Sequence, residues 1–458
     1  MVNSANRHAI VNGASLAGLL TARVLAEHFE HVTIIERDTL PDGPDPRNGV
    51  PQAVHAHGLL AQGLRIISDL FPDLPGEMVA GGAIEDDIAV LAWHQFGVWK
   101  KHITTGIRGM FFSRAFLDWH LRKRVAAIPN VTIRDRHHML GFALEAGTRR
   151  MRGVHVLAPD GMRTSLPADL VIDASGRCSS SPRNLEELGF RRPPETEIKV
   201  AVGYATRTYR RAGWPGWKAM LVTPTAPAGR RMGVLFPLEG DRWIVTLAGW
   251  LGDHPPVDEA GFLEYARQLP VPHIHDHLRA SEPLSPIGVH RFASSLRRHY
   301  EQIRQPEGFA VLGDAVASFN PVYGQGMTTA SLSVMELSAC LAAQRDRNAP
   351  ARAMTDELQR RVSRVVDRAW MVSAGEDFRY PEVPGERPAG TALINAYMAH
   401  VHRLAATDEK VLTAFYRTSH MLDRPEALFH PAIAWRVLAS LIWPAAPEPA
   451  PAPAIQAR

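Results

Sequence analysis

Apolar positions along the chain keep two rhythms, and the changes between them mark the elements. Residues 8–12, HAIVN, form a short run expected to be a buried strand, and the turn sequence Gly13-Ala-Ser-Leu-Ala-Gly18 follows it. A helix is predicted over 19–29, carrying Leu19, Leu20, Val24 and Leu25. Residues 31–36 make a second strand that ends in Glu36-Arg37. A Pro/Gly/Asp-rich loop then leads to a helix over 58–70, short strand-like pieces over 90–113, and a helix from Arg114 to about Val125. Strands at 131–134, 140–144 and 153–157, with Pro159-Asp160-Gly161 as a turn, read as an antiparallel excursion. Residues 168–177 return to a buried strand closed by a glycine turn. Long strands at 199–209, 232–238 and 242–250 carry Tyr204, Phe236, Trp243 and Trp250, and a helix is expected over 258–269. A last buried strand at 309–312 runs into Gly313-Asp314. A loop shaped by Pro321, Gly324 and Gly326 precedes an apolar helix from Met327 to about Gln344. Beyond 351 the pattern is helical, with breaks at 381–388 and at Pro425, and an apolar helix over 432–443.

This order predicts an α/β (α+β) fold: a Rossmann-like nucleotide domain from 1–190 and 285–345, with a β-rich substrate domain over 191–284 inserted into it. A helical C-terminal region covers 346–443, and the Pro/Ala-rich segment 444–458 is expected to be a disordered tail. A length of 458 residues allows two or three such lobes.

Composition narrows the function classes. The formal net charge is only +4, and no Lys/Arg run is interleaved with aromatics, which argues against a nucleic-acid partner. Cys178 and Cys340 are too few for a disulfide framework or a metal set, and they fit a reducing cytoplasm. The first residues lack a signal pattern, and no stretch of about 18 uncharged apolar residues suggests a transmembrane segment. The helix over 432–443 is too short to span a bilayer. It is expected to pack on the body, with a weak membrane-surface contact as the alternative.

The candidate chemistry clusters at three turns. Gly13 permits a tight turn, Gly18 permits close helix–strand packing, and Glu36, about 20 residues on, can accept hydrogen bonds from a ribose. Ser15 stands where the middle glycine of this fingerprint is usual. It is small and can donate to a phosphate; Leu16 and Ala17 complete the loop and Arg37 follows the acid. Arg47 is either a solvated loop charge or a phosphate clamp, and Arg114 opens a helix where free N–H groups favour an anion. His55 and His57 lack a third ligand at metal spacing and are read as packing or hydrogen-bonding residues; no metal is expected. The stretch from Asp314 through Pro321, Gly324, Gly326 and Met327 is either a plain crossover or a site for an electron-rich ligand at a helix N-terminus. The strand aromatics are either core or ligand-facing.

Taken together, Gly13 to Gly18 with Glu36, Val171-Ile-Asp-Ala-Ser-Gly-Arg177, and Gly313-Asp314 with Pro321 to Gly326 resemble the single-component FAD-dependent monooxygenases of the p-hydroxybenzoate hydroxylase fold. The resemblance covers about 8–345. Arg47-x-Gly49-Val-Pro-Gln-x-x-His-x-His57 and Phe319-Asn-Pro-Val-Tyr-Gly-Gln-Gly326 are also similar to bacterial epoxidases of polyether biosynthesis and to squalene epoxidase relatives. The resemblance implies that Glu36 binds the adenosine ribose and that Arg47 and Arg114 meet the pyrophosphate or ribityl chain. Asp314 would hold the ribityl hydroxyls, and 324–327 would lie against the isoalloxazine. It implies NADH or NADPH as co-substrate, O₂, and a small apolar organic substrate. One oxygen atom would be inserted through a flavin C4a-hydroperoxide, with epoxidation favoured over hydroxylation. Such a transfer needs no protein nucleophile, so no catalytic residue is assigned. Ser175, Ala317 and Thr328 depart from the aromatic-hydroxylase pattern. A geranylgeranyl-reductase-type flavoenzyme and a non-catalytic flavoprotein are the alternatives. No Trp-x-Trp-x-Ile-Pro segment points to a halogenase.

Overall fold

The structure, a computed structural model, describes residues 7–442. The segment 444–458 and the last residue of the helix expected over 432–443 lie outside the described residues, as do residues 1–6.

Near-continuous apolar runs build a five-stranded parallel sheet in the order Phe309–Val311, Leu170–Asp173, His8–Asn12, His31–Ile35, Val131–Arg134. Burial on both faces accounts for that composition: Ile10, Val11, Val171, Ile172, Ala310 and Val311 are all fully enclosed. Because the strands are parallel, their C-terminal turns emerge on one edge. The Gly13, Ala174-Ser175 and Gly313 turns therefore meet, although they are about 160 and 300 residues apart in sequence. The helices Leu16–Leu25 and Gly326–Asp346 pack beside each other on this sheet, and Ala61–Leu70 packs on the latter.

The second sheet has eight strands: Ala317–Ser318, Gly288–Arg298, Glu195–Arg210, Arg242–Gly249, Arg231–Leu238, Ala219–Val222, Leu91–Gln95 and Val98–Trp99. It is thus wider than residues 191–284, drawing strands from before and after that stretch. Side chains alternate across it with period two. Trp243, Val245 and Leu247 join Trp217, Phe262 and Tyr265 in a core beneath the helices Glu259–Arg267 and His273–Arg279. On the opposite face, Tyr204, Met232, Val234, Phe236, Ala248 and Trp250 line a cavity. The strand aromatics therefore divide between core and cavity by register.

The helices Thr355–Asp377, Thr391–Leu404, Glu409–Ser419 and Pro431–Ile442 follow the nucleotide sheet. Residues of the second and third help wall the cavity. In Pro431–Ile442, Ile433 and Val437 are buried, whereas Trp435, Leu438 and Leu441 are exposed. Among the described residues no helix is long and apolar enough to cross a membrane. Two element starts differ from expectation. The first helix begins at Leu16, because Ser15 is already in extended backbone as its N-cap. Ala61, not Gly58, opens the next, after a short 3-10 turn at Pro51–Val54.

Candidate functional site

Two glycines set the floor of the first turn. Gly13 has φ +108°, and a Cβ there would sit 2.6 Å from the Ala174 carbonyl oxygen. A Cβ on Gly18 would sit 1.8 Å from the Gly13 carbonyl oxygen, so only glycine lets the helix enter this close to the strand. Gly18 is buried under the loop; Gly13, Ser15, Leu16 and Ala17 face the cavity.

Glu36 is buried. Its carboxylate accepts from the Ala14 backbone N–H at 2.8 Å and from Asp38 N–H at 3.0 Å. Arg47 Nη1 lies 2.9 Å from Glu36 Oε2 and 3.0 Å from Asp38 Oδ2. Asp38 also accepts from Gly49 N–H at 2.6 Å, where a side chain would collide with it. Arg47 is therefore not a solvated loop charge: it clips the 38–49 loop onto the acid at the end of the second strand. Glu36, Arg37 and Arg47 all line the cavity.

Arg114, buried at the start of the helix Arg114–Ala126, reaches across to the first turn. Its Nη2 donates to Ser15 Oγ at 2.7 Å, and its Nε donates to Asp118 Oδ1 at 2.9 Å. Ser15 Oγ is thus occupied as an acceptor, which leaves its O–H free to donate to an anion. In the middle motif Asp173 is fully buried, accepting from Ser175 N–H at 2.9 Å, Asn12 Nδ2 at 3.3 Å and the hydroxyls of Ser179 and Ser181. Its role is to shape the turn. Ser175 Oγ remains buried without a partner on the cavity wall. Arg177 donates to Ser318 and Ser294 and ties this turn to the eight-stranded sheet.

Asp314 lines the cavity and accepts no hydrogen bond from the described residues. Burial pushes its carboxyl up from the usual range, while Arg114 and Arg177 pull it back down. A Cβ on Gly326 would meet Asp314 Oδ1 at 3.8 Å, which places the carboxylate beside the N-terminus of Gly326–Asp346. That N-terminus has no side-chain cap, so its backbone N–H groups are available. Gly324 takes φ +66° to make the preceding turn, and Pro321, Gly324, Gly326 and Met327 line the cavity.

Three buried residues around the cavity, Asp377, Thr206 and Thr246, carry no sequence motif. Asp377 ends the helix Thr355–Asp377 and is fully buried behind the loop. Its Oδ1 accepts from Asn320 Nδ2 and Tyr323 O–H, each at 2.8 Å, and from Trp250 Nε1 at 3.3 Å. His55 Nδ1 lies 2.7 Å from Thr206 Oγ1, which lies 2.7 Å from Thr246 Oγ1. His57 donates from Nδ1 to the His55 carbonyl at 2.9 Å, so its Nε2 carries the lone pair. Burial, helped by Arg114, pushes His57 down to about 3. Burial also lowers His55 and His420 to about 4 each. His55, His57 and His420 are therefore neutral and weakly basic. Only the contacts across sheet and loop reveal Asp377, Thr206 and Thr246, whereas His55 and His57 lie in the 47–57 segment.

One cavity of about 1630 Å³ connects all of this. It runs from the Gly13 turn and Glu36, past Asp314 and 321–327, to the apolar sheet face beneath the C-terminal helices. This exceeds the roughly 300–1,000 Å³ of an ordinary ligand pocket. A dinucleotide suits its first half: the glycine-floored turn, the Ser15 donor, the unpartnered Asp314 carboxylate and the uncapped helix end match ribose, phosphate and an electron-rich ring.

No family model matches the chain. Protein Rv3254 of Mycobacterium tuberculosis is 33% identical over 445 residues, which cover 92% of this chain and 91% of that protein. Among solved structures, a flavoprotein/dehydrogenase from Cytophaga hutchinsonii superposes with TM-score 0.67 at 14% identity, covering 95% of this chain and 98% of that one. The p-nitrophenol 4-monooxygenase PnpA from Pseudomonas putida gives 0.62 at 18% identity, covering 92% and 99%. PqsL, a probable FAD-dependent monooxygenase from Pseudomonas aeruginosa, gives 0.60 at 14%, covering 81% and 98%. The fold is that of the FAD-dependent monooxygenases resembling p-hydroxybenzoate hydroxylase.

Proposed function

We propose that this chain, which belongs to the family of protein Rv3254 of Mycobacterium tuberculosis, is an FAD-dependent monooxygenase that transfers one atom of O₂ to an apolar organic substrate. The observation that carries this reading is the single cavity that joins a dinucleotide-type crevice to an apolar sheet face. Glu36 would hold the adenosine ribose, with Arg47 fixing its carboxylate. Ser15, oriented by Arg114, would donate to the pyrophosphate. Asp314 would accept from the ribityl hydroxyls, and the N-terminus of Gly326–Asp346 would stabilise negative charge on the ring. When bound, FAD supplies electron transfer from NADH or NADPH and the activation of O₂. The protein supplies position and exclusion of water: Met232, Val234, Phe236 and Trp250 make a dry wall beside the ring site.

Epoxidation is the preferred transfer. Hydroxylation of a phenol gains from a base that removes the phenolic proton, and the wall imidazoles His55, His57 and His420 are all held too weakly basic for that task. An alkene requires no such base. The resemblance in the 47–57 and 319–326 segments to polyether-type epoxidases points the same way.

The test is product analysis under ¹⁸O₂ with the FAD-loaded protein, NADPH or NADH, and a panel of terpenoid and aryl alkenes. One labelled oxygen in an epoxide product, with matching pyridine-nucleotide oxidation, is expected. Saturation of the alkene without O₂ uptake would identify a reductase instead.

A further inference from the structure

A second, smaller cleft of about 320 Å³ lies between the helices Gly326–Asp346 and Thr355–Asp377. Glu336 of the first helix and Arg361, Arg364, Val365 and Arg368 of the second wall it. The cations gather because 361, 364 and 368 are three and four residues apart and so share one stripe of the helix. Leu358, Val362 and Val366 turn inward, which leaves that stripe facing out.

The three arginines are not equally engaged. Arg361 is held by two acids: its Nη2 lies 2.6 Å from Glu357 Oε1 and its Nη1 3.5 Å from Glu336 Oε2. Arg364 makes only a long contact, 3.4 Å from Nε to the Arg360 carbonyl oxygen. Arg368 has no hydrogen bond or ion pair among the described residues. Two guanidinium groups, one exposed and one half-buried, are therefore free to meet an anion. Their forked N–H donors suit a phosphate, and Glu336, the acid on the cleft wall, already faces Arg361.

The same stripe runs to the mouth of the large cavity. Asp367 and Met371 are both exposed and both line that cavity, so it opens to the surface between them. Asp367 lies three residues beyond Arg364, and Met371 three beyond Arg368, so each is a surface neighbour of a free arginine. The Asp367 charge is met by Arg297 Nη1 at 2.6 Å. This mouth is on the side of the ring-side loop: Trp370 packs on Phe319 at 6.2 Å between centroids, and Asp377 holds Asn320 and Tyr323. From Arg364 to Met371 is seven residues, about 10 Å along the helix. A ligand laid on the stripe would have its phosphates on the arginines and one end in the cavity mouth.

We propose that Arg364 and Arg368 bind the phosphates of a pyridine dinucleotide whose nicotinamide end enters the cavity at Met371, and that they select NADPH over NADH. This rests on the monooxygenase reading above for the identity of the electron donor. NADH carries only a pyrophosphate. NADPH adds a phosphate on its adenosine ribose, so each free arginine has a phosphate group to meet.

The experiment is isothermal titration of the full-length FAD-loaded protein, whose Glu36 crevice is then filled, with adenosine 2′,5′-bisphosphate, 5′-AMP and inorganic phosphate. The wild type is expected to bind the bisphosphate about tenfold more tightly than 5′-AMP. Arg364→Gln and Arg368→Gln should each weaken the bisphosphate about five- to tenfold. Arg163→Gln, on the exposed strand Arg163–Pro167, removes the same charge elsewhere and should change nothing. Equal binding of the two nucleotides, no loss in either cleft variant, or an equal loss in Arg163→Gln would overturn the site. Inorganic phosphate binding as tightly as the bisphosphate would overturn it too, by making the cleft a site for free phosphate. An arginine-dependent preference in a protein that takes up no FAD would support the site while sinking the monooxygenase reading. FAD uptake without the preference would do the reverse.

Discussion

At the scale of single residues, space decides more than charge. The Gly18 position is closed by backbone, with 1.8 Å to the Gly13 carbonyl oxygen, so no side-chain rotation can admit a methyl group. Gly76, in the exposed first turns of Leu74–Ala80, has nothing within 4 Å of the same added atom. The two substitutions should therefore move stability in opposite directions. Gly18→Ala should cost about 3 kcal/mol or more, because loop and helix must part. Gly76→Ala should gain about 0.5–1 kcal/mol, because alanine loses less backbone entropy in a helix. Urea denaturation of the two variants checks this; a Gly18→Ala protein as stable as wild type would show that the turn is looser than its geometry.

At the scale of elements, Asp377 joins the end of a C-terminal helix to the ring-side loop and to the second sheet. Burial raises its carboxyl to about 7, although Tyr323, Asn320 and Trp250 all donate to it and pull it down. Its unfolded value is about 3.9, so the folded chain holds this proton more tightly. The resulting stabilisation is complete below about pH 4 and is lost as pH rises through about 7. Asp377→Asn keeps an acceptor oxygen for the three donors and cannot ionise. The unfolding free energy of this variant relative to wild type should climb between pH 4 and 7 by up to about 4 kcal/mol, then level off. A difference that stays flat across this range would place the carboxyl in the ordinary range. Nothing in the sequence marks Asp377: it is one acid at a helix end, and its partners are 54 to 127 residues away. The same holds for the strand Leu91–Gln95, whose parallel pairing with Ala219–Val222 depends on tertiary packing rather than local pattern. By contrast, Gly13, Gly18 and Glu36 were legible because a positive φ, a backbone contact and a strand-end acid each demand a particular residue type at a fixed spacing. Sheet register was partly legible: alternation in Arg231–Leu238 shows that two faces exist, but not that one faces a cavity.

At the scale of the whole molecule, the proposed cofactor would touch segments far apart in the sequence: 13–18, 36–47, 114 and 314–327. A ligand that bridges them binds the folded chain and not the unfolded one, so it adds RT ln(1 + [L]/Kd) to global stability. With FAD at 100 times its Kd, the unfolding free energy should rise by about 2.7 kcal/mol over the flavin-free protein. Asp314→Ala removes a carboxylate acceptor that has no other partner, which should weaken FAD by about 1.5–3 kcal/mol. At the same FAD concentration the stabilisation should then shrink to roughly 0.3–1.3 kcal/mol. The flavin-free variant should be no less stable than flavin-free wild type, since the carboxyl it loses accepts no hydrogen bond from the described residues. Urea midpoints of both proteins with and without FAD test the three statements together. An undiminished FAD effect in Asp314→Ala would move the ribityl contact to another residue. A variant destabilised even without FAD would show that Asp314 holds the loop rather than the cofactor.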